Sequence, residues 1–271
     1  MAVMRRSQAR EPNTALREEK PEAGEGNRSW LKRKGDADGL ILLGGTSVAD
    51  FRIRFAQSQL RGDLTPALWS RCGILLADGV FATVPLDVSD VSAVPSTNGV
   101  AYCPLNDVDD PKRFPNVAVI RFARTHDNAI RDIERVMGDR SLIDLPALML
   151  PWLGYVWAAT GATNPLSSGI GLPAAAFVET VFAMAGFELT PGLSSAASCP
   201  EAIWQSAKWW ADYYESATKD REQAISRVAE AESAAGVTSA ATAERLDAAV
   251  PMIPTGFSIV RQRAASVVED A

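Results

Sequence analysis

The spacing of apolar residues changes character near residue 122. Before it, apolar residues come in short runs. Residues 40–43 are continuously apolar and end at Gly44-Gly45, which predicts a buried strand and a tight turn. Ser47 is placed to cap a following helix that carries Phe51, Phe55 and Leu60 on its apolar face, with Arg52 and Arg54 on the others. Residues 72–76 and 80–84 are rich in β-formers, and the Asp78-Gly79 pair between them is a hairpin signal. Residues 87–115 read as polar and turn-rich, and 117–122 as a strand. Beyond that point the period lengthens to that of a helix. Residues 128–137 are amphipathic, 145–160 form a proline-interrupted apolar stretch, and 173–185 form a helix closed by Gly186. Ser198-Cys199-Pro200-Glu201 reads as a capping box with proline at the first helical position. The long helix it opens carries Ile203, Ala207, Trp210 and Tyr214 as one stripe, with Trp204, Trp209 and Tyr213 alongside. A weaker helix is expected over 240–250. Strands first and helices later predict an α+β fold with a helical C-terminal extension.

Composition adds limits. The chain has 271 residues, 47% of them hydrophobic, and a net charge of −6, so a broad nucleic-acid-binding surface is not expected. No apolar run approaches the ~18 residues of a membrane span. Residues 1–36 depart from the acidic whole, with nine Lys/Arg against six Asp/Glu and little apolar content. They read as a disordered charged arm, with Trp30 and Lys32-Arg33-Lys34 its features suited to docking. The expected organisation is therefore the arm, an α+β core over 37–197 and a helical extension over 198–271.

Candidate chemistry is sparse. Three widely spaced cysteines, Cys72, Cys103 and Cys199, and one histidine, His126, argue against a disulfide framework or a metal site. No signal peptide is recognisable, and a reducing, cytoplasmic setting is the simplest reading. No cofactor is implied: Gly44-Gly45-Thr46 lacks the lysine of a phosphate loop, and Asp36-Ala37-Asp38-Gly39 lacks the distal glutamate of a calcium loop. Cys72 lies beside Arg71, and Cys199 lies just ahead of a helix, where the dipole favours a thiolate. Either, with His126 as base, would be the nucleophile of a hydrolase. Ser167 and Ser168 are weaker candidates. The aromatic group Trp204, Trp209, Trp210, Tyr213 and Tyr214 is too broad for one solvated helix face, so some rings cover another element or a partner.

Several strings taken in order carry a resemblance. The chain opens with Gly39-Leu40-Ile41-Leu42-Leu43-Gly44-Gly45 and continues with Phe51-Arg52-Ile53-Arg54-Phe55 and Trp69-Ser70-Arg71-Cys72-Gly73-Ile74. Far downstream come Pro173-Ala174-Ala175-Ala176-Phe177-Val178 and Ala185-Gly186-Phe187-Glu188-Leu189-Thr190-Pro191-Gly192. Over roughly 39–192 this resembles the circularly permuted papain-like hydrolases of the NlpC type. Their histidine follows a serine on an early strand, and their nucleophilic cysteine begins a later helix. The resemblance implies a small antiparallel sheet packed on helices, and it matches the histidine to Arg71 and the cysteine to Ala174. Arginine does not act as a base at neutral pH, and alanine carries no nucleophile. The resemblance therefore implies a scaffold without its catalytic pair, acting by binding a protein partner or a peptide or acyl ligand. Arg71, Cys72, Ala174, Trp209, Trp210 and Tyr213 are the expected contact residues. The alternative is an active thiol hydrolase or acyltransferase with a relocated cysteine.

Overall fold

The computed structural model describes residues 16–34, 39–76, 79–86, 98–121, 129–235 and 257–262. The fold is α+β, built on one seven-stranded sheet. In chain order the strands are Leu16–Glu19 (β1), Leu40–Gly44 (β2), Arg71–Leu76 (β3), Val80–Thr83 (β4), Ala101–Pro104 (β5), Asn116–Arg121 (β6) and Ser258–Gln262 (β7). Their spatial order is β1-β7-β6-β2-β3-β4-β5, antiparallel throughout except for the β1–β7 pair. The helices are Asn27–Lys34 (α1), Val48–Ala56 (α2), Ala129–Gly138 (α3), Leu145–Val156 (α4), Pro173–Met184 (α5) and Pro200–Ala235 (α6).

Both faces of the sheet are covered, which explains the unbroken apolar run at 40–43. Side chains alternate along a strand. Leu40 and Leu42 on β2, with Ala118 and Ile120 on β6, enter the large core formed with α2 to α6. Ile41 and Leu43, with Val117 and Val119, enter a second core on the opposite face. That second core is closed by Trp30 and Leu31 of α1 together with Leu105, Val108 and Phe114. Within α1, Asn27 is buried too and donates to the carbonyls of Val108 and Phe114.

This corrects the expected disordered arm. Residues 16–34 form β1, an edge strand of the sheet, and α1, which packs Trp30 and Leu31 on one face of it, while 1–15 lie outside the described residues. Arg33 and Lys34 are ion-paired within this segment. Arg33 lies 2.6 Å from Glu25 and within 4 Å of Glu19 and Glu22, and Lys34 meets Glu19. Within the expected extension, 200–235 is the helix α6, and β7 returns to the sheet between β1 and β6. The helix expected over 240–250 lies outside the described residues.

Two local readings invert. On α2 the buried residues are Asp50, Ile53 and Ala56, while Phe51 and Phe55, at 52% and 55% exposure, stack on each other outside. Ser198 does not cap α6. Its hydroxyl donates to Glu179 on α5, and the Glu201 N–H is accepted instead by the Gln57 side chain, 144 residues away. In both cases tertiary hydrogen-bond partners outweigh the local pattern.

Candidate functional site

A cavity of about 60 Å³ opens where the N-terminal turns of α2 and α5 meet the start of β3. Arg71, Asp50, Ala174, Thr83 and Cys103 are among its lining residues. Arg71 is the first residue of β3, and its register opposite Leu43 of β2 sets its position. Ala174 lies in the first turn of α5, which packs across β3. The two positions that the sequence resemblance pairs, 71 and 174, thus line one cavity although 103 residues separate them.

Arg71 is held by Asp50. Arg71 Nε donates to Asp50 Oδ1 at 3.0 Å and Nη2 to Oδ2 at 3.3 Å. Ser70 and Ser47 hydroxyls donate to the same carboxylate, each at 2.7 Å. Asp50 is 1% exposed, and its burial alone would raise its pKa. The Arg71 charge and these hydrogen bonds outweigh that penalty and hold the carboxyl below its usual value. The guanidinium also lies 5.2 Å from the centre of the Phe114 ring, which further restrains its plane. Gly45 follows Gly44, the last residue of β2: its N–H donates to Ser70 Oγ, and any side chain there would collide with the Asp50 carboxylate. The turn is shaped to seat Asp50.

The start of α5 has no side-chain cap. Leu172 at the N-cap offers no side-chain acceptor, Pro173 has no N–H, and the first recorded helical bond runs from Ala176 N–H to Leu172 O. The Ala174 and Ala175 N–H groups therefore begin a buried helix end without a capping side chain.

No protein-family model, curated protein or solved structure matches this chain.

Of the other candidates, Cys72 does not line the cavity. It is fully buried in the large core, and burial pushes its thiol well above the ordinary value, with Cys199 and Glu179 adding to the shift. Cys199 is 1% exposed and is pushed up to about 12 by burial. Backbone N–H groups of Ala202 and Glu201 favour its thiolate, but desolvation exceeds them, so the helix dipole does not activate this sulfur. Neither cysteine has the environment of a nucleophile, and His126 lies outside the described residues. Ser167 and Ser168 sit exposed on a 3-10 turn away from the cavity.

The aromatic residues of α6 divide by face. Trp204 packs edge-on against Trp69 in the core at 5.0 Å, while Trp210 and Tyr214 are half-buried, with Tyr214 against Phe257. Trp209 and Tyr213 are 57% and 42% exposed and stack with 10° between their planes. This surface is separate from the residues that line the cavity.

Sequence reasoning missed Asp50, Thr83 and Cys103 as cavity residues. Asp50 was visible only as a first-turn acidic residue of α2. Cys103 is half-buried, and burial with Asp107 nearby pushes its thiol up to about 11, despite the opposing charge of Arg71. Among the described residues there is no group of three or more metal-ligating side chains, and no helix is long and apolar enough to cross a membrane.

Proposed function

We propose that this chain is a non-catalytic member of the papain-like superfamily that acts by binding, either a peptide or acyl ligand in its cleft or a protein partner. The carrying observation is that Arg71 and Ala174, matched by sequence to the catalytic histidine and cysteine, line the same cavity. That meeting at the start of a strand and the first turn of a helix is what a thiol hydrolase requires of its base and nucleophile. Arg71 is engaged with Asp50 and accepts no proton, and Ala174 has no nucleophilic atom. The exposed Trp209–Tyr213 stack on α6 supports a partner surface of the protein-binding kind. Three free cysteines agree with a reducing, cytoplasmic setting.

The test is to restore the pair. In the double variant R71H/A174C, the thiol at 174 should react with iodoacetamide below pH 7, at least about tenfold faster than in A174C alone. Equal rates in the two variants, with folding verified by tryptophan fluorescence, would sink the papain-like reading. Cavity-dependent hydrolysis of an activated ester by the wild-type chain would sink the non-catalytic one.

A further inference from the structure

The polar side chains of the cavity are spent on one another. An ionised carboxylate has about four acceptor sites. Asp50 uses them all, Oδ1 for Ser70 and Arg71 and Oδ2 for Ser47 and Arg71. The Ser70 hydroxyl also accepts from the Gly45 N–H, and the Thr83 hydroxyl donates to the Cys72 carbonyl at 2.6 Å. The charges of Asp50 and Arg71 cancel within their pair. Asp107, the other carboxylate of the lining, is exposed and stays solvated at the mouth, beside the half-buried Pro85 and Cys103.

Below the mouth the wall is apolar. Ile53, Phe81, Val84, Val108, Leu172 and Ala174 line it, and none is more than 5% exposed. A buried water needs two to four polar partners, and the side chains of this floor have none to spare. Such a cavity favours an apolar guest over water. An ion is disfavoured too, because no free group inside replaces its hydration. One water-sized group takes about 10–15 Å³ of such a volume, so about 60 Å³ has room for on the order of five heavy atoms.

Resting on the reading of this cleft as a binding site, we propose that its floor takes a compact, uncharged aliphatic group of about four carbons, while the polar end of the ligand stays at the mouth. The aliphatic tip lies against Ile53, Val84, Leu172 and Ala174. Two sources present this chemistry: the aliphatic side chain of a peptide, such as leucine, and a short acyl chain.

The experiment is a titration of the full chain followed by the backbone amide resonances of Ile53, Val84 and Ala174. Isovaleramide, an acyl probe with an isobutyl tip, should saturate these shifts in the millimolar range. Isobutyramide, one carbon shorter, should bind about fourfold more weakly. Malonamide, which has the shape of isovaleramide with a polar tip, should bind at least about tenfold more weakly. N-acetyl-leucinamide and its polar isostere N-acetyl-asparaginamide form the peptide pair and should separate in the same way. Binding of the leucine amide at least as tight as isovaleramide assigns the peptide side chain, and weaker binding assigns the acyl chain. A174L, with folding verified by tryptophan fluorescence, fills the floor and should weaken isovaleramide about tenfold or more. Xenon, which enters dry apolar cavities, should shift the same resonances in the wild-type chain and be displaced by isovaleramide, whether or not A174L folds. Isosteric amides that bind alike, no saturation, no xenon shift, or a folded A174L that binds as wild type would overturn the proposal. If that happens while R71H/A174C still gains its reactive thiol, only the ligand class falls; if both experiments fail, the cleft reading falls with it.

Discussion

Removing the Asp50 charge is the sharpest probe of how the cavity is held open. Asp50→Asn keeps the side-chain volume, which matters because Gly45 leaves no spare room beside it. It removes the counter-charge of a guanidinium whose side chain is only 24% exposed, and it weakens four hydrogen bonds to the carboxylate. Breaking a fully buried pair from one side costs about 3–5 kcal/mol. The partial solvation of Arg71 and the hydrogen bonds that asparagine can still accept reduce this to about 2–4 kcal/mol. For a chain of this size that corresponds to a melting temperature lower by roughly 4–7 °C. The assay is a double-mutant cycle of D50N, R71M and D50N/R71M, by urea unfolding followed by tryptophan fluorescence. Removing both partners leaves no stranded charge, so the double variant should be more stable than the sum of the singles predicts, by about 1.5–3 kcal/mol. The pH dependence has a definite sign. Because the folded-state pKa of Asp50 is depressed, its contribution is present above the ordinary carboxylate range and is lost as pH falls through the folded value. The D50N deficit should therefore shrink at acid pH. A coupling below about 0.5 kcal/mol, or a deficit that grows on acidification, would refute the claim that this pair organises the site.

Three further outcomes follow from buried groups elsewhere. Glu179 accepts from Thr190 and Ser198 at 2.6 and 2.8 Å, and burial raises its pKa, so its folded-state stability is greatest at low pH and falls as pH rises through the raised value. E179Q, which keeps an acceptor without the charge, should gain stability relative to wild type as pH is raised from 5 to 8, and a constant difference in denaturant midpoint would contradict this. Iodoacetamide labelling of the folded chain at pH 7, mapped by peptide mass spectrometry, should be slow at all three cysteines. Cys103 should react first, because Cys72 and Cys199 are fully buried; rapid labelling of Cys199 would show that the helix end does activate it. Trp30→Ala should cost about 3–5 kcal/mol, as for a core aromatic, whereas Trp209→Ala should change stability by no more than about 0.5–1 kcal/mol. Unfolding curves of the two variants that coincide would remove α1 from the fold.

The sequence by itself determined the elements whose periodicity is local and strong. β2, β3, β4 and β6, the hairpin at Gly79 and the helices α2 to α6 all lie where apolar spacing and turn residues put them. So do the α+β class and the positions of Arg71 and Ala174 that the site is built on. Tertiary structure alone decided the remainder. β1, β5 and β7 carry the unpromising sequences Leu-Arg-Glu-Glu, Ala-Tyr-Cys-Pro and Ser-Ile-Val-Arg-Gln, and they are strands because a neighbouring strand satisfies their backbone groups. Half of the α1 residues are charged, but Trp30 and Leu31 cover a second sheet face whose existence no local pattern announces. α2 turns its phenylalanines outward because Asp50 finds Ser70 and Arg71 inside, partners 20 and 21 residues away. Propensity and period act over one or two turns, whereas the desolvation of a carboxylate or a thiol depends on everything packed around it. That is why the strands and helices could be read from the chain, and why the ion pair, the uncapped start of α5 and the silent cysteines could not.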